Sequence, residues 1–220
     1  MIFKDRREAG AELARAMKRS RKDWGDAVIL GIPRGGVPVA YEVARALKLP
    51  LDVFVVRKLG APGHEELAMG AVASGGTRVV NERVVRELGI SPEILEAVAR
   101  REELEIERRE QVYRNGFPSA RIDGRVAILV DDGLATGATM LAAVRALRPR
   151  ACELVAAVPV AAEAVCRELS REVDQMICVA TPGNFMAVGM FYENFDPTTD
   201  NEVRKRLAEA RGEASGHQAA

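Results

Sequence analysis

Ile128-Leu129-Val130-Asp131-Asp132-Gly133-Leu134-Ala135-Thr136-Gly137-Ala138-Thr139 is the stretch on which the reading of this chain turns. Residues 126–130 form an apolar run of the length expected for a strand buried on both faces. Asp131 and Asp132 stand at its carboxyl end. A loop of small and hydroxyl-bearing residues follows, and helical spacing predicts a helix over 138–147. Small residues let the backbone close around a phosphate, and helix N-terminal N–H groups with the Thr136 and Thr139 hydroxyls supply donors. The two carboxylates suit the hydroxyls of a sugar diol. A bare Gly-x-x-x-Gly loop would read equally as a strand-to-helix turn whose acids favour the helix dipole. Strand, acid pair, Gly-x-Ala-Thr-Gly-x-Thr and helix together favour anion binding. No Gly-Lys-Ser/Thr ends the loop, so it is not a Walker loop.

Working outward, a second apolar run at 27–30 ends in Gly31-Ile32-Pro33-Arg34-Gly35-Gly36, followed by a helix over 37–47. A buried strand is predicted at 51–56, ending in Val56-Arg57-Lys58. The polar stretch 58–66 reads as a mobile loop. Short strands at 67–74 and 78–80 around Gly75-Gly76 form a hairpin signal. Ser91-Pro92 reads as an N-cap followed by proline in the first turn of a helix reaching about Arg114. Glu96–Arg100, Glu105–Arg109 and Glu110–Arg114 are spaced four apart in the favourable order. The acids and bases of this helix interleave, which describes a solvated face better than a nucleic-acid contact. Further elements are a strand at 154–160, a helix at 162–169 and a strand at 173–180. Thr199 with Glu202 forms a capping box for a last helix. Strands alternating with helices predict an α/β fold with a central, mostly parallel sheet of about five strands flanked by helices. Ligands of such sheets bind beyond the strand carboxyl ends, where both glycine-rich turns sit.

The 130–139 segment resembles the 5-phosphoribosyl-1-pyrophosphate (PRPP) signature of the type I phosphoribosyltransferases. The resemblance implies a three-layer fold with a small hood and, here, an inserted charged helix. It implies that Asp131 and Asp132 bind the ribose hydroxyls and that Gly133, Leu134, Ala135, Thr136, Gly137, Ala138 and Thr139 wrap the 5′-phosphate. Residues 31–36 look like the pyrophosphate loop, with Arg34, Gly35 and Gly36 as contacts and a cis peptide at Pro33-Arg34. Arg57 and Lys58 match a basic pair facing pyrophosphate, with a solvated strand end as the plain alternative. The family's flexible catalytic loop falls on His64 and Glu65, His64 being either an acid–base group or simply exposed. The hood maps to residues 1–20 plus 181–198. Asn184, Phe185, Phe191 and Tyr192 there either meet an acceptor base or pack the loop. Mg²⁺ is implied, held mainly by PRPP and water and with no direct protein ligand. The partners implied are PRPP and a small-molecule acceptor, with a homodimer by analogy.

Ala135 stands where members acting on 6-oxopurines carry an aspartate, which disfavours hypoxanthine or guanine as acceptor. Three functions stand: phosphoribosyl transfer to a nitrogenous base or similar acceptor, PRPP sensing without catalysis, and PRPP hydrolysis. The domain is read as one unit over 1–211, with a core at about 26–180, the inserted helix at about 91–115 and a disordered tail at 212–220.

Composition agrees with this class. Lys+Arg and Asp+Glu both number 32, so global charge argues for neither a nucleic-acid nor a membrane partner. The three cysteines, Cys152, Cys166 and Cys178, lack metal-ligand spacing and read as buried free thiols in a reducing cytoplasm. The charged N-terminus has no apolar signal core, so a cytoplasmic location is expected.

Overall fold

The computed structural model describes residues 2–215, except for the side chains of Glu65, Glu66 and 213–215. The chain runs α1 (Arg6–Ser20), β1 (Ala27–Gly31), α2 (Gly36–Leu47), β2 (Leu51–Val53), β3 (Val56–Ala61), β4 (His64–Ala73), β5 (Thr77–Val80) and α3 (Glu82–Glu87). It continues with α4 (Pro92–Arg114), β6 (Val126–Val130), α5 (Ala138–Leu147), β7 (Glu153–Val160), α6 (Glu163–Leu169), β8 (Gln175–Ala180), a 3₁₀ turn (Val188–Phe191) and α7 (Asp200–Ser215).

A five-stranded sheet of order β2-β1-β6-β7-β8, parallel throughout, forms the middle layer. Successive residues of its central strands feed opposite cores. Ile29, Ile128, Val130, Val155 and Ala157 pack with Leu13 and Met17 of α1, Val37 and Val43 of α2, and Val203 and Leu207 of α7. Val28, Leu30, Leu129, Leu154 and Ala156 pack with Met140 and Leu147 of α5 and Leu169 of α6. The apolar runs have no polar alternation because both faces are buried. With helices on both faces of the sheet, these are the three layers that the sequence reading expected.

The 58–66 stretch is not an irregular loop. β3 and β4 pair antiparallel through it, from Val56↔Ala73 to Ala61↔His64, and β5 completes a separate three-stranded sheet. Its polar composition concealed the pattern: Leu59, Ala61 and Met69 are buried while Lys58 is exposed. α3 was not anticipated; the Asn81 side chain accepts from Val84 N at 3.3 Å and starts it. The thiols also differ from expectation. All three are free, but Cys152 is exposed and Cys166 and Cys178 are half-buried. Cys152 lies in the turn before β7, and Cys178 lies on the edge strand β8, where burial is incomplete. α7 continues through Gly212 to Ser215, so the expected tail overlaps it; residues 216–220 lie outside the described residues.

α4 opens as predicted, with the Ser91 hydroxyl accepting from Ile94 N and Pro92 in its first turn. Two of the three expected pairs form, Glu105–Arg109 at 2.7 Å and Glu110–Arg114 at 2.9 Å. Glu96 instead takes both Nη atoms of Arg78 from β5, at 2.5 and 3.1 Å, so tertiary placement overrides the local spacing. The end of α4 is tied to the central sheet. Arg114 Nε donates to both oxygens of Asp52 on β2, at 3.0 and 3.1 Å, and Ala120 N donates to Asp52 at 2.8 Å. Asp52 is 2% exposed, so Asp52→Ala strips the buried Arg114 guanidinium of one of its two carboxylates and leaves Ala120 N without its acceptor. The expected loss is about 3 kcal/mol in denaturant unfolding.

Candidate active site at the ends of β1 and β6

β1 and β6 are adjacent and in register, Gly31 opposite Val130, so the two glycine-rich loops leave the sheet side by side. The order of the sheet makes this the point where the chain turns to opposite sides, the usual ligand crevice of parallel sheets. Ile32 N donates to Val130 O at 2.9 Å and locks the two exits together. The Pro33-Arg34 peptide is cis, as the sequence reading expected. Gly36 N then donates to Ile32 O at 3.0 Å and α2 begins.

The loops meet at closest approach through Gly35 and Gly36. A Cβ on Gly36 would lie 2.6 Å from Val130 O and 2.8 Å from Asp131 Cα. One on Gly35 would lie 2.0 Å from Asp132 Oδ2. A larger residue at either position would force this contact between the Gly35-Gly36 turn and the acid pair apart.

Asp132 N donates to Asp131 Oδ1 at 2.8 Å, so the pair is braced internally. Arg6 Nε donates to Asp132 Oδ2 at 2.9 Å, and the Tyr192 hydroxyl donates to Asp132 O at 2.6 Å. Burial pushes both carboxyls above the usual range; the neighbouring Asp132 charge adds to this at Asp131. Arg6 opposes the rise at Asp132. The Tyr192 phenol is pushed up as well, first by burial and then by the Asp132 charge.

After the acids, Leu134 N donates to Val160 O at 3.0 Å and Ala162 N to Leu134 O at 3.1 Å, fastening the loop to the end of β7. Gly137, at φ 69°, turns the chain into α5 without a side-chain cap. Ala138 N meets Thr136 Oγ1 at 3.5 Å, and the remaining first-turn N–H groups of α5 have no side-chain cap. Gly133, Leu134 and Gly137 are buried, whereas Ala135, Thr136, Ala138 and Thr139 are exposed along the loop's open edge.

The basic residues are engaged elsewhere. Arg57 Nε and Nη2 lie 2.8 and 2.7 Å from Glu102 of α4, a buried acid. Arg34 lies 3.8 Å from Asp200 at the start of α7, and Asp200 accepts from the buried Tyr113 hydroxyl of α4 at 3.1 Å. Lys58 is exposed on β3. His64 is an exposed residue opening β4, not part of an irregular loop. Glu65 shares that strand, and its side chain lies outside the described residues.

In the 181–198 stretch, Phe185 and Phe191 stack at 5.1 Å with 25° between planes. Asn184 is exposed. Tyr192 is 6% exposed, with its ring against Phe3 and Phe195 and its hydroxyl on Asp132. It is a strut beneath the acid pair rather than a free stacking surface. Phe3 joins the N-terminus to this stretch by two backbone bonds of 2.8 Å, Phe3 N to Phe191 O and Glu193 N to Phe3 O. Arg6 is the site residue the sequence reading missed. It stands in the first turn of α1 among other arginines, and nothing in its spacing connects it to a carboxylate 126 positions away.

Residues 2–192 match the family of the phosphoribosyl transferase domain. A Mycobacterium tuberculosis protein provisionally named a phosphoribosyl transferase is 43% identical over 203 residues, 92% of this chain. The chain spans 45% of that relative's length. The crystal structure of TT1426 from Thermus thermophilus is 41% identical, with a TM-score of 0.85 over 95% of this chain and 99% of that one. Orotate phosphoribosyltransferase of Mycobacterium leprae is 36% identical over 75 residues, 34% of this chain and 42% of that protein. The chain belongs to the phosphoribosyl transferase domain family.

Proposed function

We propose that the chain transfers the 5-phosphoribosyl group of PRPP to a nitrogenous acceptor and releases pyrophosphate. The observation carrying this reading is the convergence of the Gly35-Gly36 turn on Asp131 and Asp132, with the uncapped start of α5 beside them. Asp131 and Asp132 accept from the ribose 2′ and 3′ hydroxyls. The loop from Gly133 to Thr139 holds the 5′-phosphate through backbone N–H groups and the Thr136 and Thr139 hydroxyls. Arg34, Gly35 and Gly36, with Arg57 and Lys58, face the pyrophosphate. A bond forms between the acceptor nitrogen and ribose C1 as the C1–oxygen bond to pyrophosphate breaks, and the acceptor proton leaves. Charge develops on C1 and on the departing oxygens, so positioned charge matters more than covalent chemistry.

Mg²⁺ would arrive with the substrate, held mainly by its phosphates and water, with the acid pair left to the ribose hydroxyls. Among the described residues no group of three or more His, Cys, Asp or Glu side chains forms a metal cluster. When bound, Mg²⁺ offsets the charge of the leaving pyrophosphate. Phe185, Phe191 and Asn184, with the N-terminal segment, form the hood over the acceptor.

Pyrophosphate release from Mg-PRPP across purine, pyrimidine and pyridine bases, with a no-base control, tests this reading. Release that depends on one acceptor is the expected result; release without any base indicates hydrolysis. One observation favours a sensor as second reading: Arg57 is committed to Glu102, and Arg34 lies beside Asp200. Silence across the panel from protein that binds Mg-PRPP selects it.

No described helix is long and apolar enough to cross a membrane. The balanced charge supports a small-molecule ligand over nucleic acid, and a reducing cytoplasm is the setting that fits three free thiols.

A further inference from the structure

Arg6 belongs to α1, outside both glycine-rich loops, yet three contacts place it in the crevice. Its Nε lies 2.9 Å from Asp132 Oδ2, its Nη1 donates to Asp196 O at 2.8 Å, and its guanidinium lies 4.0 Å over the Phe195 ring. Its side chain is 13% exposed and that of Asp132 14%, so water screens the pair weakly. A Cβ on Gly35 would come within 3.3 Å of the same Nε, which sets Arg6 at the junction of pyrophosphate loop, acid pair and hood.

We propose that Arg6 is a positioning residue of the ribose site, holding Asp132 as an aimed carboxylate able to accept from a ribose hydroxyl. This rests on the ribose reading of the acid pair given above. Two adjacent, largely buried carboxylates resist being charged together, and the pair would otherwise keep a proton. A protonated Asp132 would offer the diol a weaker, neutral acceptor. Arg6 supplies the compensating charge, and the Asp196 carbonyl and Phe195 ring fix the plane in which it does so. The ionisable groups facing Asp132 among the described residues are Arg6 of α1, Asp131 beside it and the Tyr192 phenol. Of these, Arg6 alone is cationic. Loss of Arg6 raises the pH at which Asp132 takes up its proton. The carboxylate then disappears at a higher pH than in the wild type, and ligand affinity disappears with it.

The test compares wild type, Arg6→Met and Arg6→Lys in the full chain, each first shown to be folded by thermal melting. Carboxyl-carbon NMR follows the Asp131–Asp132 titration without ligand, and calorimetry measures Mg-PRPP affinity from about pH 5 to about pH 8. In Arg6→Met the titration midpoint moves up, and affinity falls roughly tenfold at neutrality, the loss widening as pH drops. Arg6→Lys restores charge and returns most of both effects. An unmoved midpoint with an unmoved pH profile overturns the proposal, and so does tighter binding in Arg6→Met, which would make Arg6 a plug. A shifted midpoint in a wild type–variant pair that lacks affinity for Mg-PRPP overturns the ribose reading while leaving the charge coupling in place.

Discussion

Asp131→Asn combined with Asp132→Asn is expected to weaken Mg-PRPP binding by roughly 100-fold or more while the protein stays folded. Each carboxylate replaced removes a charge-assisted acceptor worth about 1.5–3 kcal/mol. The two halves differ in their effect on stability. Asp131→Asn keeps an oxygen for Asp132 N, now 2.8 Å from Asp131 Oδ1, and discards a charge that burial and Asp132 both disfavour. Asp132→Asn gives up the ion pair with Arg6 at 2.9 Å.

The sign of the pH dependence follows for Asp131. Its folded carboxyl is raised above the unfolded value, so the native state binds the proton more tightly. That group's contribution favours the fold at low pH and is lost as pH rises through the folded value. Asp131→Asn therefore melts higher than wild type at neutral pH, and the advantage shrinks as pH falls toward the ordinary carboxylate range. Calorimetry for binding and melting curves across pH check both statements. Undiminished affinity in a folded double variant removes the ribose assignment.

Gly35→Ala and Gly36→Ala are expected to fail in different ways, although the residues are adjacent. The new methyl on Gly36 meets backbone, Val130 O at 2.6 Å and Asp131 Cα at 2.8 Å. Neither atom can rotate away, so α2 and β6 must separate, at about 1–3 kcal/mol in denaturant unfolding, with binding lost as well. The methyl on Gly35 meets the movable end of a side chain, Asp132 Oδ2 at 2.0 Å. That carboxylate can swing aside only by leaving Arg6. Stability then falls by less than in Gly36→Ala, whereas Mg-PRPP affinity falls roughly 100-fold. Equal stability losses in the two variants would falsify this division between backbone and side-chain contact.

The two glycine-rich loops were legible because their sequence pattern is local. The apolar run 126–130, the acids at its end and the glycine and threonine spacing are all contiguous, and α5 starts at Ala138 as predicted. The start of α4 was also local, set by Ser91 and Pro92, and its end at Arg114 falls where the sequence reading put it. The β4–β5 hairpin around Gly75-Gly76 was legible, but the β3–β4 pairing across 58–66 was not, because the glycines and charged residues of that stretch hide its strand pattern. Tyr192 looked like one aromatic among several, and its burial beneath Asp132 depends on Phe3 arriving from the other end of the chain.

The sequence by itself thus determined the parallel sheet and the two glycine-rich loops, including the residues proposed for phosphoribosyl transfer, since each follows from neighbours along the chain. Tertiary structure alone decided which charges meet: Arg6 with Asp132, Arg57 with Glu102, Arg114 with Asp52 and Arg78 with Glu96. A long side chain on a charged helix has many partners within sequence reach, and packing of the helices on the sheet selects among them.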